Sequence, residues 1–371
     1  MKVANITLHA INNYGSIFQS YATVEIFKSL GCKVETIDYI RETARLDTPW
    51  KIITSKSLNA KLKIKTLITH FLPSKGNRSA IMEEFRRKHL NLTEEKYRSD
   101  ADFEKKYPEA DIYCTGSDQT WNTICQGDIP KPYFLHFVPD NKRKISFSAS
   151  FGIEKLPEKD KSEVKRLLSR YDAISVRELS GINILKDLGI KGTLVLDPTL
   201  TVSPDMWKEM AAPRMIEEDY ILSYQLNRSN QYIKYLKKCA QTLHLKVIHI
   251  RSRKDTTFEN GICMTSPSPE ELLSLFKHAK YVLTDSFHAT AFCTIFHREF
   301  MVILPPRFSS RIIDFLDMID QRQRIVTDFQ NHSTYYTKID FSKTDSIINK
   351  KREETMRFLE GAIRMDNNMT S

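Results

Sequence analysis

Several motifs that would identify an enzyme class at once are missing from this chain of 371 residues. No GxGxxG follows the first predicted strand and no GxxxxGK[ST] occurs, so the familiar dinucleotide and P-loop nucleotide sites are absent. HExxH does not occur and the histidines lack ligand spacing, which disfavours a zinc enzyme. There is no GxSxG elbow of the kind that serine hydrolases use.

Long apolar runs and paired cysteines are also lacking. No window approaches 18 consecutive apolar residues, the length that crosses a bilayer. The opening MKVANITLHA alternates like a strand and has no uninterrupted apolar core of a signal peptide. The six cysteines form no CxxC pair, and several lie in apolar runs where cysteine acts as a small hydrophobe. These features predict a reduced, cytoplasmic protein.

The length and the charge of the chain indicate its size class and its partners. A chain of 371 residues is too long for one typical core, so we expect two domains. The net charge of +10 favours acidic partners, such as phosphorylated metabolites, anionic lipid surfaces or nucleic acid. No RNP aromatic signature, zinc-knuckle spacing or basic zipper is present, so we predict no nucleic-acid partner.

Strands and helices alternate along both halves of the chain. In the first half, strand-like VANITLHA, KVETIDY, DIYCTG, KISFSASFG, AISVRE and TLVLDP are separated by helical patterns, and YILSYQL, KVIHI, YVLTD and EFMVILP repeat the scheme. This alternation is typical of parallel sheets. The predicted fold class is α/β, with two Rossmann-like domains facing across a cleft. We place the domains at residues 1–205 and 215–335, with a junction marked by Pro198, Pro204 and Pro213, and a helical segment at 336–371 that folds back across that junction.

A basic insertion interrupts the first domain at about residues 47–98. Within it, LNAKLKIKTLITHFLPSK at 58–75 could form a helix with one apolar face and lysines away from it. Such a helix either rests on an anionic membrane, which would make the protein peripheral on the inner face of the plasma membrane, or packs on its own domain. We favour the packed helix.

Several polar loops share the property that each follows a predicted strand. Carboxyl ends of parallel strands meet at one edge of a sheet, so loops that are distant in sequence converge there. In TDSFHAT, Ser286 or Asp285 can cap the following helix, whose N-terminus favours anions. A capped helix with a buried structural histidine is the alternative interpretation of this motif. The loops are Asn12–Gln19, Gly116–Asn122, Ser148–Gly152, Arg177–Glu178 and Asp285–Thr290.

Six motifs in a fixed order carry a resemblance to a known family. NYGSIFQSYA, TGSDQTWN, FSASFG, ISVRE, LDPTL followed by Trp207, and TDSFHATAF resemble the polysaccharide pyruvyl transferase family, from about residue 3 to residue 325. The resemblance implies a GT-B-like fold with the active site between the domains. It also implies transfer of a pyruvyl group from phosphoenolpyruvate to two hydroxyls of a sugar, which forms a cyclic ketal and releases phosphate. Such a reaction requires neither a metal nor a resident cofactor.

The resemblance also implies residue roles. His288 matches the family's histidine in the phosphoenolpyruvate site, where it either supplies a proton or stays charged beside the leaving phosphate. Much of the family has an arginine two residues earlier, and here that position is Ser286, so another cation must hold the donor. The predicted set is His288 and Asp118 (the base for the sugar hydroxyl) as catalytic residues, Ser286, Thr290, Arg311, Arg307 and Arg177 on the donor side, and Asn13, Tyr14, Gln119, Trp121 and Asn122 on the acceptor side.

Two other function classes remain open at the level of the sequence. One is a GT-B glycosyltransferase that uses a nucleotide sugar. The other is a non-catalytic carbohydrate-binding relative, which the missing arginine at position 286 suggests. If the chain is a pyruvyl transferase, we expect its acceptor to be a sugar of a capsule or exopolysaccharide, or of a lipid-linked oligosaccharide precursor.

Overall fold

The computed structural model of the chain describes residues 1–41, 76–227, 229–251, 261–306, 309–330 and 337–364. The predicted basic helix at 58–75 and the donor candidate Arg307 lie outside these ranges. Within them, no helix combines the length and the apolar character that crossing a bilayer requires.

The first sheet has five parallel strands, which lie in the order β3-β2-β1-β4-β5. Val3 of β1 pairs with Val34 of β2 on one side and with Ile112 of β4 on the other. Parallel neighbours need crossover connections, and helices provide them. The elements are β1 (Lys2–Ile6), α1 (Tyr14–Ser29), β2 (Lys33–Tyr39), α2 (Gly76–His89), β3 (Leu92–Tyr97), α3 (Asp100–Lys105), β4 (Ile112–Thr115), α4 (Thr123–Gln126), a 3-10 turn (Lys131–Phe134) and β5 (Arg143–Ser146).

A connecting region follows the first sheet. Its short strands β6 and β7 pair with each other, and an isolated bridge joins Ala149 to Val176 of β6. Prolines 198 and 204 of the predicted junction are the first residues of two helices, where a missing N–H costs nothing. The elements are α5 (Glu158–Leu168), β6 (Ser175–Val176), α6 (Leu179–Asp187), β7 (Thr193–Leu194), α7 (Pro198–Thr201) and α8 (Pro204–Met210).

The second sheet repeats the topology of the first. Its five parallel strands lie in the order β10-β9-β8-β11-β12. Both sheets therefore have the Rossmann order, and the prediction of two Rossmann-like domains is confirmed. The elements are β8 (Tyr220–Tyr224), α9 (Asn230–Leu243), β9 (Lys246–Arg251), β10 (Gly261–Thr265), α10 (Pro269–His278), β11 (Tyr281–Thr284), α11 (Phe287–Ile295), β12 (Glu299–Val302), α12 (Ser310–Met318), a 3-10 turn (Arg322–Arg324) and α13 (Phe341–Arg364).

Helix α13 contacts both domains. Near its start, the ring of Phe341 stacks on His297 of the second domain at 4.8 Å. Farther along, the backbone N–H of Leu196 donates to Thr355 Oγ1 at 3.0 Å. At its end, a guanidinium N–H of Arg143 in β5 donates to the carbonyl of Ile363 at 2.6 Å.

Strands β3 and β10, each at one edge of its sheet, were not predicted from the sequence, and neither was helix α2. Strand β3 has the sequence LTEEKY, with half of its residues charged, and the described residues of β10 are exposed or half-buried. Edge strands carry charges and polar groups that discourage pairing with other chains. In β3 the same charges hide the apolar pattern.

Three aromatic side chains join α1 of the first domain to α11 of the second. Phe18, Trp207 and Phe292 are buried, and their ring centroids are 5.0 to 5.5 Å apart. Each pair is edge to face, an arrangement that adds to the stabilisation from burial alone. This aromatic triangle fixes α1 against α11 and belongs to one core that spans both domains.

We expect Phe292→Ala to lower the free energy of unfolding by about 3–5 kcal/mol, because it removes a buried ring and leaves a cavity at the domain contact. Urea denaturation followed by circular dichroism measures the change. Ile262→Ala is the control, since Ile262 is 47% exposed, and it should change the free energy by no more than about 0.5 kcal/mol. Equal effects of the two substitutions would contradict the role of the triangle.

Candidate active site

A cavity of about 530 Å³ lies between the carboxyl edges of the two sheets. Residues at or after the ends of β1, β2 and β4 line it from the first domain, and residues after β8, β11 and β12 line it from the second. The order of strands reverses between β1 and β4 and between β8 and β11, where open α/β sheets bind ligands. Polar lining residues are Asn13, Arg41, Asp118, Gln119, Asn227, Asp285, Ser286, His288 and Arg311, and apolar or aromatic ones include Leu8, Ile11, Tyr39, Tyr133, Leu226 and Phe287.

His288 is the second residue of α11, so its side chain lies at the positive end of that helix. Ser286 is the N-cap and accepts a hydrogen bond from the backbone N–H of Ala289. The carboxylate of Asp285 instead accepts from the backbone N–H groups of Leu226 and Asn227, each at 2.7 Å. The imidazole Nε2 is buried without a hydrogen-bond partner and lies 3.9 Å from Asp197 Oδ2. Burial lowers the pKa of His288 to about 4, although the Asp197 carboxylate opposes this shift. The imidazole is therefore neutral at pH 7.

Arg177 occupies the centre of a buried group of carboxylates. Its guanidinium donates to Asp197 Oδ2 at 2.5 Å and to Asp118 Oδ1 at 3.1 Å, and its Nε lies 3.7 Å from Glu178 Oε2. The side chain of Arg177 is 1% exposed and does not line the cavity. The prediction that Arg177 binds the donor is therefore corrected: its charge compensates carboxylates of the protein itself.

Asp118 connects the two domains within this group. Its Oδ2 accepts a hydrogen bond from Ser16 Oγ at 2.5 Å, and its Oδ1 lies 3.7 Å from a guanidinium nitrogen of Arg311. Burial by itself would raise the pKa of Asp118, but Arg177 and Arg311 outweigh burial and hold the pKa well below its usual value. Such a carboxylate is a weak proton acceptor. The structure therefore disfavours the predicted role of Asp118 as a base, and Asp118 instead positions Arg311.

Arg311 is the predicted donor cation that the structure places in the cavity wall. It lies in the first turn of α12, where the helix dipole disfavours a positive charge. Its side chain is 15% exposed, and its Nε is buried without a hydrogen-bond partner. Burial lowers the pKa of the Arg311 guanidinium. Because the ordinary pKa of arginine is very high, the group still stays charged at pH 7. A charged group in an unfavourable place, with an unused donor, is suited to an anionic ligand.

Two further donor-side predictions have different outcomes. Ser286 lines the cavity beside His288. Thr290 is fully buried, and its Oγ1 donates to the carbonyl of Ser286 at 2.9 Å. Thr290 therefore stabilises the first turn of α11 and is not a lining residue.

Two acceptor-side predictions lie in the cavity wall. Asn13 caps α1, and its Oδ1 accepts a hydrogen bond from the N–H of Gly15 at 2.9 Å. Gln119 also lines the cavity, and its Oε1 accepts a hydrogen bond from Asn122 Nδ2 at 2.7 Å. Asn122 is itself buried and caps α4, so it orients Gln119 without lining the cavity.

The predicted acceptor contacts of Tyr14 and Trp121 are wrong, because both residues belong to the interior. The hydroxyl of Tyr14 donates to the carbonyl of Pro267 in the second domain. The ring of Trp121 stacks on Phe134, and its Nε1 donates to the carbonyl of Tyr133 at 3.0 Å. Each buried polar atom already has a partner within the protein, as buried polar groups generally do.

Asp197 belongs to the site, although no role there was predicted for it from the sequence. We interpreted it as the end of a strand, and it does cap α7 by accepting from the N–H of Thr199 at 3.0 Å. Its second oxygen, however, faces Arg177 and His288. The position of Asp197 directly after the apolar run TLVL was the available signal, since the same rule identified the other polar loops.

Comparisons with known proteins agree with this architecture. A model of the polysaccharide pyruvyl transferase family matches residues 13–305. Among solved structures, Arabidopsis thaliana UGT89C1 complexed with UDP-L-rhamnose is 8% identical, with 98% of this chain and 99% of that chain covered and a TM-score of 0.55. S. aureus MnaA in its UDP co-structure is 10% identical, with 96% and 90% covered and a TM-score of 0.51. No curated protein matches the chain. At these identities the two structures show the GT-B fold alone.

The buried neutral His288 predicts a specific dependence of stability on pH. Its pKa is about 4 in the folded protein and 6.5 ordinarily, so between these values the unfolded chain binds a proton that the folded protein does not. The free energy of unfolding therefore falls as the pH drops from about 6.5 to 4, by about 3 kcal/mol for this residue. Over the same pH range, the free energy of unfolding of His288→Gln should fall by about 3 kcal/mol less than that of wild type, as measured by urea denaturation. The control His244→Gln, at an exposed position, should follow wild type, and parallel curves for all three proteins would contradict the prediction.

Proposed function

The chain belongs to the polysaccharide pyruvyl transferase family, and on this premise we propose that it transfers the pyruvyl group of phosphoenolpyruvate to two hydroxyls of one sugar. The products are a cyclic ketal and inorganic phosphate. The acceptor in this proposal is a sugar of a surface polysaccharide or of a lipid-linked oligosaccharide precursor.

One observation carries this proposal: His288 and Arg311 line the same cavity, and each has a buried nitrogen without a hydrogen-bond partner. Phosphoenolpyruvate carries a carboxylate and a phosphate close together. A guanidinium, an imidazole and the positive end of α11 together suit such a ligand. Arg311 thereby supplies the charge that an arginine at position 286 would bring.

His288 handles the protons in the proposed reaction. Binding of the donor phosphate beside the neutral imidazole favours its protonated form. The imidazolium protonates the methylene carbon of the donor, and the first sugar hydroxyl bonds to the adjacent carbon and returns its proton to His288. Phosphate then leaves with that proton as its bond to carbon breaks, and the second hydroxyl closes the ketal and gives its proton to His288. The proton taken up with the donor returns to water when the products leave.

The acceptor side of the cavity combines polar and aromatic groups. Asn13 and Gln119 present amide groups from the first domain, and the rings of Tyr39 and Tyr133 also line the cavity. Amides and aromatic faces are the groups that fix the hydroxyls and the apolar faces of a small polar ligand. This arrangement supports a sugar opposite the donor.

Arg311→Gln should raise the KM for phosphoenolpyruvate by about 10- to 100-fold, because a charge-assisted hydrogen bond to the donor is lost. Phosphate release in the presence of a sugar acceptor measures the effect. Arg322→Gln is the matched control, since the Arg322 side chain is 62% exposed and pairs with Asp317 away from the cavity. An unchanged KM for Arg311→Gln would remove Arg311 from the donor site.

Ligand-induced stabilisation separates the proposed function from a nucleotide-sugar glycosyltransferase. A ligand that binds only the folded protein raises the melting temperature. We expect phosphoenolpyruvate to raise the melting temperature of wild type but not that of His288→Ala. UDP and GDP should leave the melting temperature of wild type unchanged. Stabilisation by UDP or GDP and not by phosphoenolpyruvate would favour the glycosyltransferase. If phosphoenolpyruvate binds but no sugar leads to phosphate release, a non-catalytic relative would be favoured.

A further inference from the structure

Gly15, the second residue of α1, lies directly beneath the ring of His288. A Cβ atom placed on Gly15 would be 2.0 Å from His288 Nδ1, 2.5 Å from Cγ and 2.7 Å from Cε1. Real Cβ atoms do not approach other heavy atoms this closely. The imidazole of the second domain therefore rests on the bare backbone of the first.

Backbone conformation does not explain the glycine. Its φ is outside the left-handed region that L-residues avoid. Within a helix, alanine is more stable than glycine because glycine loses more conformational freedom on folding. The remaining reason for a residue without a Cβ atom at this position is that the imidazole occupies the space the Cβ would need.

Contacts on both sides of Gly15 hold α1 against the second domain. One residue before it, Tyr14 donates its hydroxyl hydrogen to the carbonyl of Pro267. Three residues after it, Phe18 packs edge to face on Phe292 at 5.0 Å. Since α1 cannot retreat without breaking these contacts, a larger residue at position 15 must displace the ring of His288 instead.

We propose that Gly15 is a positioning residue of this enzyme, which admits the ring of His288 against α1 and so fixes the imidazole in the cavity wall with its Nε2 beside Asp197. The inference rests on the proposed function, because it assigns Gly15 a purpose in the chemistry of His288. The site is then assembled from both domains, with the histidine contributed by one and its support by the other.

The steric part of the inference is tested by a double-mutant cycle that needs no substrate. Gly15→Ala should lower the melting temperature by about 1–4 °C in the wild-type background, as overpacking of a core does. In a His288→Ala background the ring is gone, so the same Gly15→Ala change should have little effect or raise the melting temperature.

Gly361→Ala in α13 is the control, since its Cβ would meet nothing within 4 Å. Equal losses from Gly15→Ala in both backgrounds, including failure of both proteins to fold, would overturn the inference.

The positioning role is tested by kinetics below the melting temperature of each variant. A displaced reacting group costs about 100-fold in rate, so Gly15→Ala should lower kcat for phosphate release by about that factor. Gly361→Ala should retain the wild-type kcat. Undiminished kcat in Gly15→Ala would overturn the positioning role. If wild type itself releases no phosphate with any acceptor, the proposed function fails, while the melting-temperature cycle still decides whether the ring rests on Gly15.

Discussion

The architecture depends on the close packing of α1 in the first domain against α11 in the second. Phe18, Trp207 and Phe292 form the buried aromatic triangle that joins them. Because both helices begin at carboxyl ends of strands, this packing brings two helix N-termini and the loops around them to one place. His288 at the start of α11 then meets Gly15 at the start of α1. The cavity therefore results from the packing of α1 against α11, and neither domain contains it alone.

The two arginines of the buried charged group between the domains, Arg177 and Arg311, have different electrostatic roles. Arg177 is surrounded by Asp118, Asp197 and Glu178, so its charge is used inside the protein. Arg311 reaches the same group from the other domain and, unlike Arg177, lines the cavity. Buried charges are tolerated only when they are compensated. The carboxylates therefore hold two cations in place, and only the cation nearer the cavity remains for an anionic ligand.

Part of the site could be predicted from the rule that polar loops after strands converge. The rule identified Asn13, Gln119, Ser286 and His288, which line the cavity. It failed for Tyr14, Trp121 and Thr290, which also follow strands but bond within the protein. A polar side chain after a strand either faces a ligand or satisfies a backbone group, and residue type does not distinguish these two outcomes. The predicted strands include β5 and β12 at one edge of each sheet, whereas β3 and β10 at the opposite edges were missed. Half of the residues of β3 are charged, and these charges hide its apolar pattern.

The sequence by itself determined the α/β class and the two parallel sheets, because the alternation of apolar strands with amphipathic helices is a local property. The order of its motifs also indicated the family. Only the tertiary structure decided which charges lie within a few ångströms of one another. Asp118 could serve as a base by its residue type, yet Arg177 and Arg311 keep its pKa well below the usual range. Protonation and access depend on groups that are far apart along the chain, and these meet only after the two domains have folded and packed.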